Sequence, residues 1–254
     1  MAFMLAASRI SELLAPFLAG AETPQELVPQ LQTYLDLLLR WNARVNLTAV
    51  RDPEQIVTRH FGESLFAGRV LRESGALTST DPVPTLADIG SGPGFPGIPI
   101  KLLAPHVDVT LIESNHKKTA FLREVVRLLN LTGIGVLSAR AETLARQFGV
   151  VTLRAVEKYD TALPVAADLV QAGGTLCLLI GGSQRPESKL ANQDWKGKNR
   201  HSIPLSNERV VFIAQKSVEI NLSVECFTAA TRAFRVLMEK SPFCMVTDWA
   251  QSLN

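Results

Sequence analysis

Three things are scarce in this chain of 254 residues, and each scarcity excludes something. Cysteine occurs three times, at Cys177, Cys226 and Cys244. An odd number cannot all pair within the chain, and the spacing fits no zinc or thiol-redox motif. We therefore expect reduced cytosolic thiols and no metal. Charge imbalance is small: 26 basic against 24 acidic residues give a net +2. That excludes a polycationic tail protein, so any nucleic-acid contact has to come from a local patch. Long apolar runs are missing. Residues 1–20 are fairly apolar but are broken by Arg9, Glu12 and Pro16. No stretch reaches the roughly 18 uncharged apolar residues of a spanning helix. Arg9 follows the apolar start, the reverse of signal-peptide order. What remains is ordinary, with 46% hydrophobic and 20% charged residues, enough to bury a full-sized core.

The first third reads as helical. Thr23, Pro24 and Glu26 form a start signal, with a hydroxyl N-cap, proline at the first helical position and an acid at the third. Leu27, Leu31, Tyr34, Leu35, Leu38 and Trp41 follow at helical spacing. Asp52, Pro53 and Gln55 repeat the signal, and Ile56, His60, Leu65 and Val70 share a face of a second helix. Residues 73–84 are small, polar and proline-containing, and read as a link. From Thr85 the rhythm changes to short apolar runs at 86–89, 107–112, 134–137, 150–153, 175–180 and 210–214. Amphipathic segments at 117–131 and 160–171 lie between some of them. Strand and helix alternating at this spacing imply a largely parallel sheet covered on both faces. Residues 181–208 read as a polar loop. The stretch 185–201 carries five cations against two acids, with Trp195 and His201 interleaved. It reads either as a basic loop tracking an RNA backbone or as a plain solvated one.

The most informative segment runs from Leu86 to Gly97, an apolar strand entering a glycine-rich turn. Gly92, Gly94 and Gly97 satisfy the dinucleotide pattern G-x-G-x-x-G. Asp88 through Gly94 also satisfy acid-x-G-x-G-x-G. A carboxylate at the strand end suits the ammonium of an amino-acid moiety and repels a pyrophosphate. Pro93 and Pro96 remove two N–H groups that phosphates would need. The loop therefore favours S-adenosylmethionine, with a nicotinamide dinucleotide as the alternative. Glu113 ends the second run, where an acid accepts from ribose hydroxyls or caps the next helix. Ala139 to Glu142 follow the third run, where an adenine ring could lie or a helix could simply begin.

Further segments go together. Residues 39–42 through Asn46-Leu47-Thr48, then Val50 to Pro53, Arg59-His60 and Asp88 to Pro99 resemble the bacterial 16S rRNA guanine-N7 methyltransferase G family, also called glucose-inhibited division protein B. The resemblance continues through Lys117, Phe121-Leu122, Arg140, Glu142, residues 153–155 and Glu208-Arg209, and spans about residues 25–216. It implies an α/β, Rossmann-like S-adenosylmethionine-dependent methyltransferase fold with a mostly parallel sheet and an N-terminal helical extension. The activity it implies is methylation at N7 of guanine 527 in 16S rRNA of the small subunit. Carried over, Asp88, Gly90, Ser91, Gly92, Gly94, Phe95, Glu113, Ala141, Glu142 and Arg154 hold the cofactor. Arg154, Lys117 and His60 serve the reaction, and Arg140, Arg209 and Lys117 face RNA. Two departures stand out. Glu63-Ser64 replaces the family's Asp-Ser, and Ile180 stands where the family tends to have lysine, leaving a neighbour such as Arg185 to substitute.

These readings divide the chain into a helical extension (1–84), a methyltransferase core (85–216) and a tail (217–254) without a pattern. The protein is expected to be a cytoplasmic monomer whose partner is the small ribosomal subunit, with no membrane partner.

Overall fold

The computed structural model describes residues 5–79, 81–154, 159–190 and 195–218, and Met1–Ser217 form one compact unit. The tail from residue 219, with Cys226 and Cys244, lies outside the described residues.

Helices α1 (Ala7–Leu18) and α2 (Leu27–Asn42) come first. The expected start at Thr23 is displaced. The carbonyl of Pro24 accepts from Leu27 N at 3.0 Å, which closes a separate turn, and regular helix begins only after Glu26. The second start signal falls where expected. The Asp52 side chain accepts from Gln55 N, opening α3 (Pro53–Ile56). A six-residue π turn, Val57–Gly62, leads without a break into α4 (Glu63–Glu73). The widened turn shifts the helical register between Ile56 and Leu65. His60 is only half-buried, while Ile56, Leu65 and Val70 are in the core.

The alternating region then delivers β1 (Thr85–Ile89), α5 (Gly97–Leu103), β2 (Asp108–Ile112), α6 (His116–Leu128), β3 (Ile134–Leu137), a 3-10 turn at Ala141–Thr143 and β4 (Phe148–Arg154). After these come α7 (Tyr159–Asp168), β5 (Val170–Gly181), α8 (Pro186–Lys189), β6 (Trp195–Ser202) and β7 (Arg209–Lys216). Helix α7 stops earlier than the amphipathic pattern suggests, because Val170 already pairs with Phe148 in the sheet. The seven strands lie in the order β3-β2-β1-β4-β5-β7-β6. Strands β1 to β5 are parallel, and β7 is antiparallel to both of its neighbours.

Residues 181–208 are not the loop expected from their polarity. They contain α8 and β6, whose sequence WKGKNRHS is polar because it forms the sheet edge beside β7. An edge strand needs no apolar alternation, and lysines there keep the edge from pairing with another chain.

The core follows the pleat. Along β5, Leu176, Leu178 and Ile180 face one layer while Cys177 and Leu179 face the other. The second layer contains Leu86, Leu111 and Val150 of the strands together with Ile10, Phe17, Leu31, Tyr34, Leu38 and Phe61 of the N-terminal helices. Those helices thus cover one sheet face instead of building a core of their own. Helix α7 covers the other through Leu163, Ala166 and Ala167. Among the described residues, no helix is long and apolar enough to cross a membrane.

Candidate active site

Strand β1 has β2 on one side and β4 on the other, so the connections leave it in opposite directions and a crevice opens at its carboxyl end. The glycine loop lies there. Gly90, Gly92 and Gly94 have φ of 63°, 57° and 102°, a region that side chains disfavour. A Cβ added at Gly90 would meet nothing within 4 Å, and one at Gly92 only the Gly90 carbonyl at 3.8 Å. Their backbone therefore faces open space. Gly94 faces the opposite way, since a Cβ there would come within 2.5 Å of Ile98 and of the Tyr34 hydroxyl. That hydroxyl donates to the carbonyl of Pro93.

Asp88 does not reach into the crevice. Its carboxylate is fully buried and accepts from Ser91 Oγ (2.8 Å), Gly97 N (3.0 Å) and Thr152 Oγ1 (2.8 Å). Burial pushes its pKa up to about 6, against the pull of these hydrogen bonds. The expectation that it meets an ammonium directly is therefore corrected. Enclosed on all sides, it ties the loop to β4 and to the start of α5. Glu113 also braces the loop. Its Oε2 accepts from Gly92 N at 3.0 Å and its Oε1 from Asn115 N at 2.8 Å. The cap of α6 is not Glu113 but Asn115, which accepts from Lys117 N and Lys118 N.

On the far side of the loop, Phe95 stacks on His60 at 4.9 Å between centroids and on Tyr34 at 5.6 Å. The guanidinium carbon of Arg154, at the end of β4, lies 5.8 Å from the centre of the Phe95 ring. Its Nη2 is heavily engaged, donating to the Arg59 carbonyl (2.5 Å) and Glu63 Oε2 (3.1 Å) and lying 3.2 Å from His60 Nδ1. The other oxygen of Glu63 meets Arg209 Nη2 at 2.5 Å. One buried carboxylate thus gathers arginines from β4 and β7 onto a helix that the sequence pattern had assigned to a separate extension.

His60 is contacted at both ring nitrogens, Nδ1 at 3.2 Å from Arg154 Nη2 and Nε2 at 2.8 Å from Thr48 Oγ1. Burial first, then the neighbouring Arg154, Arg59 and Arg209, push the imidazole down to about 3. His60 is consequently a neutral spacer and not a proton carrier at physiological pH. An unfolded histidine takes up a proton near 6.5 and the folded one near 3, so the contribution of His60 to stability is lost as pH falls through that window. We expect its ring resonances to stay unchanged between about pH 5 and 8, followed by NMR against a His60→Gln control. A titration centred near 6.5 would show that the ring is not enclosed in this way.

Lys117, Arg140 and Glu142 are exposed, and Ala141 is buried. They follow the ends of β2 and β3, on the same carboxyl edge of the sheet. A cleft of about 540 Å³ opens beyond the ends of β4 and β5, lined by residues that include Tyr159, Gln184, Arg185 and Lys189. The 185–201 stretch is less available to RNA than its composition suggests. Arg200 pairs with Glu187 at 2.6 Å, Lys189 with Asp160, and Arg185 donates to the carbonyl of Gly182. Trp195, interleaved in this stretch, is 7% exposed and belongs to the core.

The sequence profile of the rRNA small subunit methyltransferase G family matches residues 27–220. The similarly named protein of Xylella fastidiosa strain M23 is 40% identical over 200 residues, covering 77% of this chain and 90% of that one. That of Xanthomonas campestris pv. campestris strain B100 is 37% identical, covering 82% and 95%. The chain belongs to the rRNA small subunit methyltransferase G family. The fold is shared more widely. A magnesium protoporphyrin IX methyltransferase from Synechocystis, solved with bound SAM, superposes with a TM-score of 0.55 at 13% identity, covering 72% of this chain and 97% of that one.

Within this family member, the W-N-x-x-x-N-L-T segment turns out to be scaffolding. Asn42 Oδ1 accepts from Leu47 N and Thr48 N, and its Nδ2 donates to the Thr48 carbonyl. The closed turn presents the Thr48 hydroxyl to His60. Glu63, noted in sequence only as a departure, is the hub of the charge cluster. Tyr34 and Thr152 were legible only as helix-face and strand residues. Ile180 is 6% exposed and packs in the core opposite Val210, while Arg185, just past the end of β5, donates to the carbonyl of Gly182.

Proposed function

We propose that the chain methylates N7 of guanine 527 in 16S rRNA of the small ribosomal subunit, with S-adenosylmethionine held against the glycine loop. The observation that carries the reading is the pairing of open backbone at Gly90 and Gly92 with an arginine cluster at the end of β4. One side suits a nucleoside cofactor and the other an incoming base. The residues fit the cofactor. Gly90, Ser91 and Gly92 offer backbone, Glu113 retains acceptor capacity for hydroxyls, and Ala141 and Glu142 stand at the end of β3 for the adenine. Asp88, Gly94 and Phe95 hold the loop in shape. Bound there, S-adenosylmethionine supplies an electrophilic methyl group.

Guanine N7 has a lone pair and no proton, so no residue has to act as a base. A neutral His60 agrees with that. What the chain supplies is alignment and charge. Arg154 borders the base, while Lys117, Arg140 and Arg209 meet RNA phosphates. The target base has to leave its stack to enter the crevice. The enzyme works as a cytoplasmic monomer.

Titration calorimetry with S-adenosylhomocysteine and with NADH tests the cofactor. Tight binding of the first and none of the second is expected. The reverse would replace this reading with an oxidoreductase.

A further inference from the structure

The two terminal nitrogens of Arg154 are treated very differently. Nη2 lies within reach of three polar partners, whereas Nη1 is buried and has none among the described residues. An enclosed charged donor without a partner is costly, and calls for an acceptor that the described residues do not supply. The side chain as a whole is 11% exposed at the carboxyl end of β4, so Nη1 lies close beneath the crevice surface and meets an acceptor once the incoming base displaces what covers it.

We propose that Arg154 selects guanine by donating from Nη1 to O6 of the target base, and that Glu63 is the positioning residue that makes this possible. The inference rests on the rRNA guanine-N7 reading and adds the atom that is recognised. Arginine ordinarily meets guanine through two hydrogen bonds, to O6 and N7 together. Such a grip would cover the lone pair that has to accept the methyl group. Here Glu63 Oε2 and the Arg59 carbonyl hold Nη2 back, so a single nitrogen is left and N7 stays uncovered. Adenine carries an amino donor in place of O6 and would face Nη1 donor against donor. Glu63 is itself held by Arg209, so its carboxylate cannot swing to follow Arg154.

The test is a cycle with two arms. Small subunits are reconstituted with guanine or 2-aminopurine at the target position, since 2-aminopurine keeps N7 and lacks O6. Single-turnover transfer is measured for the wild type and for Arg154→Ala, with Arg154→Lys as a milder variant. The analogue's weaker intrinsic nucleophilicity cancels in the comparison. The wild type is expected to lose about tenfold to a hundredfold more on the analogue than Arg154→Ala does. Glu63→Gln should behave like Arg154→Ala in the cycle with cofactor affinity unchanged, and Glu63→Asp should recover part of the discrimination. Equal losses in wild type and variant would overturn the assignment of O6 while leaving the guanine-N7 reading intact. No transfer by the wild type to normal subunits would overturn both.

Discussion

Asp88→Ala is expected to weaken binding of S-adenosylhomocysteine by about two orders of magnitude or more, although the carboxylate touches no ligand. Three donors converge on it, from Ser91, Gly97 and Thr152. Removing it strands all of them in a dry interior, at about 1–3 kcal/mol each. The chain has a cheaper way out than bearing that cost, because Ser91 and Gly97 can move with the loop toward water. The loop that gives way is the one whose open backbone at Gly90 and Gly92 has to meet the cofactor, so the damage appears as lost affinity. Asp88→Asn keeps the volume and one acceptor but turns an amide N–H₂ toward other donors, and should fall between. Calorimetric titration, with circular dichroism to confirm the fold, measures this directly. Unchanged affinity in Asp88→Ala would mean that the loop keeps its shape without the brace.

Arg154→Ala should have the opposite profile, with methyl transfer slowed by about 10²–10³-fold and cofactor affinity within a few fold. The range is that for loss of one aligned donor in an active site. Arg154 meets Arg59, His60 and Glu63, whereas the loop is braced by Asp88, Glu113 and Tyr34. Phe95 links the two groups, stacking on His60 and lying beside the Arg154 guanidinium. Glu63 keeps Arg209 as a partner, so the buried carboxylate is not left alone. Single-turnover transfer to small subunits gives the rate and calorimetry gives the affinity. A full transfer rate would make Arg154 a structural residue.

Much of the scaffold was legible because buried parallel strands are written as continuous apolar runs. The six runs correspond to β1–β5 and β7, and the glycine loop follows β1 as its composition requires. What escaped had weaker or misleading local signals. Strand β6 is polar because it is an edge. The π turn at Val57–Gly62 has no sequence signature, yet it helps place the Arg59 carbonyl and His60 beside Arg154. The direction in which a carboxylate points was also invisible. Asp88 and Glu113 were recognisable as important, but not as groups whose bonds go largely to the loop itself. Composition overstated the basic stretch at 185–201, where Arg185, Lys189 and Arg200 are all engaged within the protein.

Of the 26 basic residues, several are bound to acids of their own chain and are not free for RNA. Lys117 and Arg140 are exposed beyond the ends of β2 and β3, at the carboxyl edge of the sheet.

The central claim is that this crevice delivers a methyl group to one guanine N7. Small subunits purified from a strain lacking the family's activity, incubated with the full chain and S-adenosylmethionine carrying a labelled methyl group, test it most directly. Strand scission at N7-methylguanine then locates the label. The account predicts a single labelled guanine in 16S rRNA, cleaved at that position and strongly reduced with Arg154→Ala at equal incubation time. Label in ribosomal protein, label on an atom that does not sensitise the strand to scission, or none at all, would contradict it.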